Sequence, residues 1–227
     1  MEQPSVQPHV DAAVRALRPD FRAISIVARG ISNGDAHPFA SKLFRQASEE
    51  LSWAPWADAH VEAWRDTFRA FGAKPKRTPS SVDALRSRVA KTGELPSINP
   101  VVDIYNAVSV KFALPVGGED LEAYSGQPRL VRASGTETFD TTRDGTDVAE
   151  AVDEGEVIWR DDRGATCRRW NWRQCNRTRI IPGSSTVWFI LEALEPMPDE
   201  ALTAAATLLC DSLAAISPSA TFSVDRL

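Results

Sequence analysis

Asn99, Asp103 and Asn106 recur at offsets of four and three residues, which on a helix places them in one polar row. Shortly after them Pro115 halts any helix, Gly117 and Gly118 relax the backbone, and Glu119 and Asp120 follow at once. An amide, a carboxylate and accessible backbone N–H groups in one unit can position a water and hydrogen-bond a developing oxyanion. Asn106, the 117–118 amides and Glu119 are the candidates for that chemistry. The same groups suit a free amino acid, with Glu119 on its ammonium. A solvated helix face followed by an ordinary loop fits the pattern as well.

A second set of polar groups lies in the stretch CRRWNWRQ at 167–174. Read as a strand over 166–172, its side chains alternate across a sheet. Arg168, Trp170, Trp172 and Gln174 then share one face, and Cys167, Arg169, Asn171 and Arg173 the other. An Arg-Asn-Arg face is too polar for plain core, so it is solvated, paired with acids or lining a pocket. Asp103 and Glu119 are candidate partners. Trp170 and Trp172 are either core or a stacking platform for unpaired nucleotides. Seven arginines fall between 160 and 179 against two acids. That local basic patch suits RNA docking, unless the acids between 140 and 156 neutralise it.

The elements that must hold these residues follow from the flanks. Asn99 before Pro100 reads as an N-cap with proline at the first helical position. The helix 100–112 carries Val101, Ile104, Tyr105, Val108 and Phe112 on its apolar side. Further helices are expected over 10–17, 38–51, 57–71, 82–91 and 199–216. Strands are expected over 21–31, 129–133, 136–139, 156–159, 186–191 and 221–224. Residues 1–10 read as disordered, 53–56 as an aromatic connector, and 74–79 as a basic linker. Helices first and strands later give an α+β class.

Residues 95–119 and 167–178 together resemble the B3/B4 domain of the phenylalanyl-tRNA synthetase beta subunit, and more closely the free-standing proteins built around that domain. The residues that carry the resemblance are Leu95-Pro96, Asn99, Val102-Asp103, Asn106-Ala107-Val108, Pro115 to Glu119, the run Cys167 to Gln174, and Arg177-Thr178. It spans roughly 95–194. It implies an α+β fold with a β-rich core and C-terminal helix over 93–227, and a mainly helical extension over 1–92 packed on it. In the synthetase this domain hydrolyses wrongly charged tRNA, so the implied partner is an aminoacyl-tRNA acceptor end. On that basis Asn106 and Glu119 are the candidate catalytic residues. Asp103, Tyr105, Gly117, Gly118, Arg169, Asn171 and Arg173 would surround the substrate, and Arg168, Arg177 and Arg179 would meet RNA. The synthetase domain has a threonine where Tyr105 stands and a histidine where Gly117 stands. Losing a side chain at 117 would admit a different amino acid. The alternatives are a non-catalytic module binding tRNA or an amino-acid-like ligand, and a scaffold contacting a translation protein.

The net charge of −5 excludes a globally basic nucleic-acid binder. Three cysteines without a CxxC pair argue against a disulfide framework and a cysteine-rich zinc site. His9, His37 and His60 all precede residue 95 and lack metal-site spacing, so no metal and no cofactor is expected. No P-loop, GxGxxG or GxSxG occurs. The start of the chain lacks the features of a secretory signal and no apolar run would span a bilayer, so a cytoplasmic protein without membrane or DNA partners is expected.

Overall fold

The structure, a computed structural model, describes residues 6–51 and 53–227. In chain order the elements are β1 (His9–Val10), α1 (Ala12–Leu17), β2 (Arg22–Arg29), α2 (Pro38–Glu49), α3 (Ala57–Ala70), α4 (Ser81–Thr92), α5 (Pro100–Phe112), β3 (Val116–Asp120), β4 (Arg129–Arg132), β5 (Thr138–Arg143), β6 (Thr146–Ala151), β7 (Val157–Arg160), β8 (Ala165–Arg168), β9 (Arg173–Gln174), β10 (Thr186–Ala193), α6 (Asp199–Ile216) and β11 (Thr221–Arg226). The fold is α+β, with a C-terminal helix α6 before the last strand.

An antiparallel sheet in the order β11-β2-β10-β3 runs through the middle. Both of its faces are covered, which is why β2 and β10 are apolar nearly throughout. Ile24, Ile26, Val187, Phe189 and Leu191 pack toward α5 and α6. Val27, Trp188 and Ile190 pack the other way, against Trp64 and Phe68 of α3 and Trp159 of the second sheet. That second sheet has the order β1-β4-β7-β8-β9. A two-stranded hairpin, β5 with β6, turns at Asp144 and Gly145, both at positive φ as a two-residue hairpin loop requires.

The described residues before 93 are woven into this architecture. β2 is paired on both sides, and three side chains from the same region cap the end of α5. Trp56 Nε1 donates to the Phe112 carbonyl (2.9 Å), Arg86 Nη1 to Val110 (2.8 Å), and His60 Nδ1 to Ala113 (2.7 Å). Those are carbonyls a helix end leaves without intrahelical partners. His60 is fully buried, and its Nε2 accepts from the Leu194 backbone N–H at 3.0 Å and Trp64 Nε1 at 3.2 Å. Burial lowers its pKa to about 4, so it stays neutral.

Several sequence expectations change. The part of the expected disorder that falls on residues 1–5 lies outside the described residues, while His9–Val10 forms β1 beside β4. The expected flexible turn at 116–119 is the strand β3. Glycine is admitted there by close packing, because a Cβ on Gly118 would sit 2.9 Å from the Phe189 ring. The strand expected over 136–139 begins at Thr138, and its partner β6 was not expected because its sequence, TDVAEA, carries little apolar signal. The expected strand 166–172 ends at Arg168. Arg169 (φ 46°) and Trp170 (φ 67°) are both left-handed and turn the chain back before β9. The face alternation drawn through 167–174 is therefore broken at its centre.

Candidate functional site

A cavity of about 250 Å³ opens between α5, β3, β10 and the 169–172 turn. Tyr105 and Asn106 come from α5, Gly117 and Glu119 from β3, Asn171 and Arg173 from the turn and β9, and Glu192 from β10. Strand period two puts Gly117 and Glu119 on the same side of β3, while Gly118 faces the core through Phe189 and Ile180. The Asn106 amide is half-buried and has no hydrogen-bond partner among the described residues. Tyr105 is buried, with its ring edge-on to Phe189, and burial raises its pKa, so the phenol keeps its proton.

Two carboxylates are buried at this cavity. Glu119 Oε2 accepts from Tyr124 Oη at 2.6 Å and from Thr178 Oγ1 at 2.8 Å. Glu192 Oε1 accepts from the indole N–H groups of Trp159 and Trp170, both at 3.0 Å, and its Oε2 from Asn171 Nδ2 at 2.9 Å. Burial pushes each up to about 7 against these hydrogen bonds, which pull the other way. Neither forms an ion pair with a described residue; the Arg177 charge acts on Glu119 only through space. Two polar atoms are left over at the same place. Asn171 Oδ1, an acceptor, and the Ser81 hydroxyl, which can donate or accept, are buried without hydrogen-bond partners among the described residues, and both residues line the cavity. The cavity therefore holds two carboxylates and a spare amide oxygen with no cation from the described residues to meet them.

Glu192 escaped the sequence reading because the expected strand stopped at 191. A lone carboxylate inside the run VWFILEA was the available signal, since a buried strand carries an ionisable group only where something receives it.

The remaining residues are placed differently from the sequence expectations. Asp103, expected to pair with an arginine, is buried and ties the chain that enters α5 instead. It accepts from the Ser97 hydroxyl and from the Ile98 backbone N–H (2.9 Å), beside the Asn99 cap on Val102 N (2.9 Å). Gly118 offers its carbonyl to Gln174 Nε2 (2.9 Å) and contributes no surface to the cavity. Arg169 stacks on Trp172 with its guanidinium carbon 4.4 Å from the ring centroid, and it borders a neighbouring groove. Arg173 is exposed at the cavity rim. Trp170 is core: it is fully buried and meets Phe21 and Trp64 edge-on. Trp172 is half-buried and lines the cavity.

The basic patch is largely neutralised. Arg168 is buried on Glu156, with Nη2 2.7 Å and Nε 3.0 Å from its carboxylate. Arg177 holds the fully buried Asp161 at 2.8 and 3.0 Å. Turning either outward would strand a buried carboxylate. Arg179 is exposed and has no ion pair among the described residues. Those residues contain no cluster of three His, Cys, Asp or Glu able to hold a metal, and no helix long and apolar enough to cross a membrane.

The family model described as the B3/4 domain matches residues 63–206. Among curated proteins no sequence matches. Among solved structures the chain is similar to an N-terminal fragment of the phenylalanyl-tRNA synthetase beta subunit from Pyrococcus horikoshii. The TM-score is 0.51 at 10% identity, over 97% of this chain and 51% of that one. That likeness is one of fold, and the chain spans about half the length of the fragment. With the family model covering well over half of its length, the chain belongs to the B3/4 domain family.

Proposed function

We propose that this protein recognises the aminoacyl end of a tRNA and hydrolyses the ester of a mischarged amino acid in trans. The observation that carries this is the pair of buried carboxylates without an ion-pair partner among the described residues, Glu119 and Glu192, at a cavity that also holds the spare acceptor Asn171 Oδ1. An ammonium is the ligand group such a cavity lacks, and an aminoacyl ester supplies one. At about 250 Å³ the cavity is below the ~300–1,000 Å³ usual for drug-sized ligands, so it suits a single amino acid. The nucleotide end would remain outside, at the rim formed by Arg173 and Trp172.

In this scheme Glu192, with Asn171 beside it, holds the ammonium. Asn106, whose amide is otherwise unpartnered, orients a water toward the ester carbonyl or donates to the oxyanion. Glu119, poised at about 7, takes the proton from that water as its oxygen bonds to the carbonyl carbon. The tetrahedral intermediate then expels the ribose oxygen, which takes the proton back from Glu119, and the free amino acid departs. Gly117 leaves room for the amino-acid side chain.

One observation favours a second reading, a binding module without turnover. Glu119 Oε2 already accepts from two hydroxyls, which leaves a single oxygen for a water. Deacylation of a panel of mischarged tRNAs, run beside equilibrium binding of the same tRNAs, tests both. Release of one amino acid above the spontaneous rate, lost in Asn106→Ala, supports the hydrolase. Binding without release leaves the module. Neither binding nor release removes the aminoacyl-end assignment.

A further inference from the structure

Lys74, Lys76 and Arg77 are exposed and take part in no ion pair among the described residues, although the chain carries 31 acidic residues against 26 basic ones. Most other arginines near them are neutralised. Arg65 grips Asp83 through two bonds of 2.7 Å, Arg69 meets Glu62 and Asp66, and Arg168 and Arg177 are buried on acids. Three cations without an ion pair among the described residues thus share one short turn of an acidic protein.

Their backbone is pre-shaped. The Lys74 carbonyl accepts from Arg77 N at 2.8 Å and Thr78 N at 2.9 Å, closing one tight turn between Pro75 and Pro79. Pro75, between Lys74 and Lys76, and Pro79, after Arg77, fix φ within and just beyond the turn, so little conformational freedom is lost when an anion docks. The position is equally specific. Lys74, Lys76 and Arg77 border an open groove of about 800 Å³. That groove shares Ala84 with the amino-acid-sized cavity, and Ser81, on the same helix α4, lines the cavity and donates its backbone N–H to the Asn171 carbonyl at 3.0 Å. On its other side, Lys74 and Arg77 also border a groove of about 480 Å³ whose lining carries Asp153, Glu154 and Glu156 beside Arg169, so the RNA path is assigned to the α4 side.

We propose that the 74–77 turn binds the phosphodiester backbone of single-stranded RNA and leads its 3′ end along the α4 groove to the cavity. This rests on the assignment of the cavity to an aminoacyl end, and it moves the RNA contact from the arginines of 168–179 to a turn in the N-terminal region. Consecutive phosphates meet Lys74, Lys76 and Arg77, the terminal nucleotide reaches the rim, and the esterified amino acid enters.

The test uses the full chain and an uncharged RNA hexamer ending in CCA, with affinity measured from 20 to 200 mM salt. Three neutralised phosphates give a slope of log K on log salt of about −2. The triple variant Lys74→Ala, Lys76→Ala, Arg77→Ala should flatten that slope toward zero and weaken binding at 20 mM by about tenfold or more, at an unchanged melting temperature. Arg179→Ala should leave the slope within about 0.3 of the parent, less than the ~0.7 that one phosphate contact contributes. An unchanged slope in the triple variant, no hexamer binding at 20 mM salt, or preference for anionic phosphatidylserine vesicles over the hexamer would each overturn the proposal. Methyl esters of the twenty amino acids, offered to the same two proteins, separate it from the cavity assignment. If no ester binds while the hexamer slope still depends on the turn, the cavity assignment fails and the turn stands. If an ester binds both proteins and the slope does not depend on the turn, the turn fails alone.

Discussion

Replacing Glu192 with Gln should stabilise the protein and at the same time disable its cavity. Glu192 is 1% exposed and hydrogen-bonded by two indoles and an amide, but it has no cation. Burial raises its pKa from 4.5 to about 7, so the folded chain holds this proton more tightly than the unfolded chain does. Stability from this group is therefore complete below pH ~4.5 and is lost as pH rises toward 7. At 1.36 kcal/mol per pKa unit, a shift of this size corresponds to roughly 3 kcal/mol of destabilisation above pH 7. Gln imitates the protonated acid. Its carbonyl can still accept from Trp159 and Trp170, and its NH2 group can donate to Asn171 Oδ1 once that amide turns over. Glu192→Gln should therefore raise the melting temperature at pH 8 by about 6–10 °C and have little effect at pH 4.5. Scanning calorimetry of both proteins across pH 4.5–8 reads this out. A variant less stable than the parent at pH 8, or a difference that does not grow with pH, would refute the reasoning, since either implies that the carboxylate is already compensated. Ester binding should be weakened at least tenfold in the same variant, and in the parent should strengthen as pH rises through 7.

Gly117→Leu should abolish ligand binding while the protein stays folded. Its Cβ would meet Ile190 Cγ2 at 3.2 Å, a contact that yields by a small shift, and the remaining atoms fill the cavity; calorimetric titration and circular dichroism would report an unblocked cavity or a lost fold as contrary results. Asn106→Ala should lower the deacylation rate by more than it lowers affinity, because the amide acts on the transition state; equal losses in single-turnover rate and binding would place it in ground-state recognition instead. Arg168→Ala should cost about 3–5 kcal/mol in urea unfolding, since Glu156 would be left buried and unpaired, whereas Arg179→Ala should cost under ~0.5 kcal/mol. Comparable costs for the two would contradict the view that Arg168 is structural.

Local chemistry in the sequence was enough to place α5 and its cap, because proline, asparagine and an apolar stripe act within a single turn of chain. The helices and most strands were legible for similar reasons, period and punctuation. What each polar residue does depended on neighbours far along the chain. Asp103 could be seen as polar on its helix, but only the path of 97–98 made it a tie for the chain entering α5. Arg168 and Arg177 read as a basic patch because sequence counts charges without showing that Glu156 and Asp161 lie beneath them. Trp170 became core and Asn171 a cavity residue through two left-handed backbone positions at 169 and 170, which alternation cannot anticipate. Glu192 acquired its character from burial alone. A carboxylate's pKa is set by the water and charges around it, and those are brought together only when β10 lies between β2 and β3 with the second sheet across its face.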